Sequence, residues 1–172
     1  MLQPHSIVWS REKKRKDRLL DLIRNFVIFD AGIKKVPRQH QFVGVKLAQE
    51  RLAKREGGVI WHTQGSGKSI LMVLLAKWIL EREPDARVLV ITDRDELDKQ
   101  IEGVMRNAGV VSADAPSPRV TTGRSGLVSW LGSPSPRLIC ALIHKFDTTD
   151  LSGPPPSVTG RFYVFVDECH RT

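Results

Sequence analysis

The sequence predicts an α/β domain: a mostly parallel sheet with helices on both faces. Two observations lead there. Three apolar runs, Arg87–Thr92 (RVLVIT), Leu138–Ile143 (LICALI) and Phe162–Val166 (FYVFV), are continuous rather than alternating. Strands apolar on every residue belong to sheets buried on both sides, which are parallel sheets joined by helical crossovers. The second observation is a glycine-bearing loop, Thr63–Ser69, set between a short apolar run and a helix apolar nearly all round. Such a helix is one that packs against a sheet.

From the N-terminus, the periodicity predicts a helix over 11–29, with Leu19, Leu22, Ile23, Phe26 and Val27 on one face and Ser10 as N-cap. A turn through Gly32 and Pro37 leads to a second helix over about 38–55, with Phe42, Val45, Ala48 and Leu52 inward. Gly57-Gly58 closes it. Val59-Ile60-Trp61 reads as a strand and 68–82 as the sheet-packed helix. After the strand at 87–92, Asp93 can cap a helix whose Leu97, Ile101 and Val104 face inward, with Glu96 completing a capping box. Seven of the ten prolines lie beyond residue 110, in SADAPSPR, GSPSPR and SGPPPSV, which read as surface connections. No internal repeat is visible.

The 172 residues suffice for one domain with a real core, and 41% hydrophobic with 27% charged residues is an ordinary soluble composition. Cys140 and Cys169 make neither a disulfide framework nor a CxxC metal site, which fits a reducing cytosol. The basic cluster near the start follows no signal-peptide pattern. The longest apolar stretch, residues 70–80, contains Lys77 and is too short for a membrane helix. A net charge of +8 favours a polyanionic partner. Much of it is local: residues 11–18 (REKKRKDR) hold six Lys or Arg against two acids. A solvated helix start explains that run as well as a nucleic-acid contact does. Glu12-Lys13-Lys14 has the E-x-K form of some nucleases but lacks an aspartate at suitable spacing upstream.

The loop carries the chemistry. Phosphate binding needs closely approaching backbone N–H groups, so glycine is required where a side chain would collide. A helix N-terminus adds roughly half a positive charge. Trp61-His62-Thr63-Gln64-Gly65-Ser66-Gly67-Lys68-Ser69 supplies both, between strand and helix. Lys68 can reach the β- and γ-phosphates, and the Ser69 hydroxyl can ligate magnesium. Against the pattern G-x-x-x-x-G-K-[ST], His62 stands at the first glycine. A strand-end carboxylate to hold the metal is supplied by Asp167, directly after FYVFV, and Glu168 can orient or deprotonate the attacking water. Helix capping is the competing role for both.

Together these residues resemble the first RecA-like motor domain of superfamily 2 helicases and translocases, with Asp167-Glu168-Cys169-His170 as a DECH form of the DEAD/DEAH box. The chain is more closely similar to the R (restriction and motor) subunit of type I restriction enzymes. That family shows a WHTQGSGKS loop, a TDR-x-x-LD-x-Q segment, a strand followed by KF, and DEAHR. The corresponding stretches here are Trp61–Ser69, Thr92–Gln100, Ile143–Phe146 and Asp167–Arg171, in the same order. Cys169 stands for the usual alanine.

The resemblance implies that the domain is a P-loop NTPase using ATP and Mg2+. Gln41, in Arg38-Gln39-His40-Gln41-Phe42, would read adenine. Thr63, Gln64, Gly65, Ser66, Gly67, Lys68 and Ser69 would bind the triphosphate. Ser69 and Asp167 would hold magnesium, Glu168 would activate water, and His170 would couple the γ-phosphate to the motor. Arg94, and more loosely Thr122, would contact the backbone of double-stranded DNA. Residues 1–37 would be a basic lead-in from a nuclease domain, and 38–172 a motor lobe truncated after the DECH box. The implied setting is a prokaryotic cytoplasm, with methylation and specificity subunits as partners. A different superfamily 2 enzyme, or a binding module without catalysis, is the alternative. A nucleotide kinase would share the loop but not the DECH or TDR segments.

Overall fold

The computed structural model describes residues 4–30, 32–63, 65–112, 114–146 and 157–167, with backbone only for 4–14, 30 and 97. The first helix, α1 (Pro4–Asn25), starts earlier than its periodicity predicts, so Ser10 lies inside it and is not its cap. Proline suits a first helical position because its missing N–H is one the helix start leaves unbonded. Leu19 and Ile23, expected inward, are more than half exposed, at 57% and 55%. Among the described side chains of α1, the Leu22–Phe26 edge reaches the core, where Phe26 meets Phe42 at 4.6 Å between ring centroids. The helix also ends at Asn25, short of the expected 29, and Ile28–Asp30 instead forms β1 of an antiparallel hairpin with β2 (Ile33–Lys35), with Gly32 of the expected turn at φ +78°.

The second helix, α2 (Gln39–Ala53), stops before Gly57-Gly58. The left-handed residue after it is Arg55, at φ 60°, and Glu56 N–H closes back on the Arg51 carbonyl. That is the geometry glycine usually supplies at a helix C-terminus. Val59-Ile60-Trp61 is not a strand. Val59 and Trp61 are 76% and 83% exposed, and no strand pairs with them among the described residues. An apolar run becomes a strand only when a neighbouring ladder satisfies its backbone.

The next elements follow expectation: α3 (Lys68–Arg82) and β3 (Ala86–Thr92). Two more parallel strands flank β3, β4 (Leu138–Leu142) on one side and β5 (Arg161–Val166) on the other, in the order β4-β3-β5. Alternate residues feed opposite layers. Val88, Val90 and Cys140 join Phe42, Leu74, Ile79 and Ile101 beneath α2, α3 and α4 (Asp95–Asn107). Leu89, Ile139 and Ala141 join Val120 and Leu127 beneath α5 (Gly123–Gly132). Burial on both faces holds for β3 and β4; on β5, Val164 and Val166 stay exposed. Asp93 does not cap α4: the N-cap is Arg94, with no side-chain cap bond, and Asp95, Glu96 and Asp98 fill the first turn, where negative charge suits the dipole.

Two arginines secure the end of the sheet where β3 begins. Arg87, 2% exposed, donates to the carbonyls of Trp130, Leu131, Pro136 and Thr159 and stacks on Phe162. Arg137 donates to the carbonyls of Leu80, Glu83 and Ala86. Burial lowers the Arg87 pKa from its ordinary value, but its many carbonyl partners suit the charged form. Among the described residues no helix is long and apolar enough to cross a membrane.

Candidate nucleotide-binding site

The opposite end of the sheet gathers the predicted site. A three-residue connection joins α3 to β3, on which α3 packs, so the start of α3 lies at the end where β3 finishes. All three strands are parallel, so the residues following β3, β4 and β5 emerge there too. In open α/β sheets this is the end that binds ligands. It brings Lys68 and Ser69 to the same edge as Asp93-Arg94, the 3-10 turn Ile143–Lys145 and Asp167, whose N–H donates to the Ile91 carbonyl at 2.9 Å.

The loop has the backbone its glycines promise. Gly65 and Gly67 have φ of +75° and +83°. A Cβ on Gly67 would also collide with the Gln41 amide nitrogen. Gly67 caps α3 with its carbonyl, which accepts from Ile70 and Leu71 N–H. The Ser66 hydroxyl and His62 Nδ1 are buried with no partner among the described residues. A left-handed glycine pair opening a helix, lined by an orphaned hydroxyl donor, fits a polyphosphate. Lys68, Ser66 and Ser69 are half-buried and Thr63 is exposed.

Gln41 is buried and its amide is engaged. Its Oε1 accepts from Arg38 N–H at 2.8 Å, and its Nε2 donates to the carbonyls of Ser66 (3.0 Å) and Gly67 (3.2 Å). Beside it, His40 Nε2 meets the same Ser66 carbonyl at 3.1 Å. The His40 ring stands edge-on to His62, 5.1 Å between centroids at 72°. Burial, then the charges of His40 and Lys68, push the His62 pKa below its ordinary value. The sequence names Gln41 through the resemblance, but His40 emerges only from this packing.

Ser69 and Asp167 supply hard oxygen donors, the kind magnesium takes in small number alongside phosphate oxygens. Among the described residues no denser group of three or more His, Cys, Asp or Glu forms a metal site. Gln64, Glu168 and His170 lie outside the described residues. Arg94 is exposed beside Asp93, with Nε 3.5 Å from its carboxylate. Thr122 is the exposed N-cap of α5, its hydroxyl folded over Gly126. One residue with no predicted role is Arg119, which joins the segment before Thr122 to Asp98 and Asp95 of α4. Burial pushes the Asp98 carboxyl up, outweighing the hydrogen bond and charge of Arg119. Burial also pushes the Cys140 thiol up, leaving it unreactive.

Comparison with known proteins places the chain in a family. Residues 40–172 match the family model of the SWI2/SNF2 ATPase. A putative type I restriction enzyme MjaIXP endonuclease subunit from Methanocaldococcus jannaschii is 31% identical over 92% of this chain and 16% of its own length. The type I restriction enzyme HindI endonuclease subunit of Haemophilus influenzae is 41% identical over 48% of this chain and 9% of its own. The SauCOLORF180P endonuclease subunit of Staphylococcus aureus is 25% identical over 100% of this chain and 20% of its own. The chain thus spans a fifth or less of these relatives. With a family match running from the helix of Gln41 onward, and a relative 31% identical over 92% of the chain, the chain belongs to the SWI2/SNF2 ATPases, in the form similar to type I restriction endonuclease subunits.

Proposed function

We propose that this chain is the Mg-ATP-binding lobe of a DNA translocase in a type I restriction-modification system. Residues 1–37 form its basic lead-in and 38–172 the motor lobe. The observation that carries the reading is the Thr63–Ser69 loop: two left-handed glycines opening α3 at the end of the sheet where Asp167 emerges. Thr63–Ser69 cradle the triphosphate, and Lys68 neutralises its terminal oxygens. Ser69 and Asp167 hold magnesium, which when bound stabilises charge on the transferring phosphoryl group. Glu168 orients the attacking water, and His170 links the γ-phosphate to the rest of the motor.

Arg94 and Thr122 leave the same end of the sheet, where they serve as contacts to the duplex backbone. The charge of +8 suits that partner. Methylation and specificity subunits, named from the family resemblance, complete the complex in a prokaryotic cytoplasm. Turnover in such motors draws on an arginine from a second lobe, an element worth about 10³–10⁵ in rate in other phosphate hydrolases. The 172-residue chain is therefore expected to bind ATP but hydrolyse it slowly, with little stimulation by DNA. Lys68→Ala should abolish ATP binding without changing the circular dichroism spectrum. Undiminished affinity in that variant, or brisk DNA-stimulated hydrolysis by the chain alone, overturns the reading.

A further inference from the structure

The carbonyl of Ser66 accepts twice from one helix turn: from Gln41 Nε2 at 3.0 Å and from His40 Nε2 at 3.1 Å. A carbonyl oxygen only accepts, so the His40 Nε2 in this pair carries the proton and donates. Both lone pairs of Ser66 are then directed at α2. A trans peptide unit is planar, with its C=O and the following N–H pointing in opposite directions. Fixing the Ser66 carbonyl toward α2 therefore turns the Gly67 N–H away from α2. The Gly67 carbonyl, bonded to Gln41 at 3.2 Å and to Ile70 N–H at 3.1 Å, fixes the Lys68 N–H in the same way. These two N–H groups open α3, where an anion-binding nest needs its donors aligned before the ligand arrives.

His40 is itself exposed, so burial does not account for its place. Its ring is steadied by the edge-on contact with His62 at 5.1 Å. Gln41 has both amide hydrogens committed to the loop, so its action falls on the loop before it can fall on a base.

We propose that His40 is a positioning residue for the phosphate loop: with Gln41 it holds the Ser66 carbonyl toward α2, aiming the Gly67 N–H at the polyphosphate. This rests on the reading of Thr63–Ser69 as the phosphate site. Its signature is that His40 controls affinity for the phosphate chain irrespective of the base.

The test is calorimetric titration of the full chain with ATP and, separately, with inorganic tripolyphosphate. In His40→Ala both affinities should fall by one common factor, about three- to tenfold, the worth of one hydrogen bond. His40→Gln, which keeps an N–H donor, should recover most of the loss. An unchanged tripolyphosphate affinity in His40→Ala, or a loss confined to ATP, overturns the proposal. So does His40→Gln behaving like His40→Ala. Lys68→Ala separates the two levels. Binding lost in Lys68→Ala but intact in His40→Ala defeats only the role of His40. Binding intact in Lys68→Ala defeats the phosphate-site reading beneath it.

Discussion

Arg119 Nε donates to Asp98 Oδ2 at 2.9 Å, tying α4 to the segment that leads into α5. That segment lies along β4: Cys140 N–H donates to the Pro118 carbonyl at 2.8 Å, and Val120 N–H to the Cys140 carbonyl at 2.9 Å. Arg119 also bonds Asp95 and comes within 3.9 Å of Glu102, so one guanidinium serves three carboxylates. Arg94 stands at the start of α4 and Thr122 just past Arg119, so this bond sets the spacing of the two proposed DNA contacts.

Removing the cation leaves Asp98, 2% exposed, charged and unpaired. Arg119→Met should therefore cost about 3–5 kcal/mol in urea unfolding, the usual penalty for breaking a buried pair from one side. Asp98→Leu combined with Arg119→Met should regain much of it, because the buried charge is then gone. A single-variant loss below about 1 kcal/mol, the range of exposed pairs, would show that solvent reaches the site and the bond organises little.

The two left-handed glycines of the loop separate strain from collision. Gly65→Ala meets no described atom within 4 Å of the new Cβ, whereas Gly67→Ala strikes the Gln41 amide. Both pay the left-handed penalty, about 1–2 kcal/mol. Gly67→Ala should accordingly weaken tripolyphosphate binding more than Gly65→Ala, with the urea midpoint lower as well. Equal effects would mean that α2 does not constrain the loop.

What could be read in the sequence was what is local. Buried runs such as RVLVIT and LICALI carry their burial in every residue, so β3 and β4 came out within a residue of their ends. The candidate phosphate loop stood out for the same reason: its glycines, lysine and serine are contiguous, and the left-handed backbone expected of Gly65 and Gly67 is present. Where structure depends on a partner, the reading faltered. Val59–Trp61 has strand composition and, among the described residues, no ladder. Asp93 has cap chemistry, yet the chain extends one residue further to Arg94 before turning helical. The left-handed end of α2 fell to Arg55 although two glycines stood nearby. Arg119 finds Asp98 21 residues back, and His40 finds Ser66 26 residues on, through packing that no periodicity encodes.

His62 makes the last case, at the position where the phosphate-loop pattern has its first glycine. Its Nδ1 is buried without a partner among the described residues, so a second ring proton there would go unsatisfied. Burial, followed by the nearby charges of His40 and Lys68, lowers its pKa from the ordinary 6.5. The unfolded chain then takes up this proton at higher pH than the folded one. The contribution to stability is complete above the unfolded value, about 6.5, and is lost as pH falls from there toward the folded value. The melting temperature should drop between about pH 7.5 and 5.5, above the range where most carboxylates titrate. His62→Gln, which cannot take up the proton, should flatten that slope while keeping a comparable melting temperature at the upper pH. Parallel slopes for the two proteins would show that the His62 ring protonates freely, and that the wall of the phosphate loop is open to water.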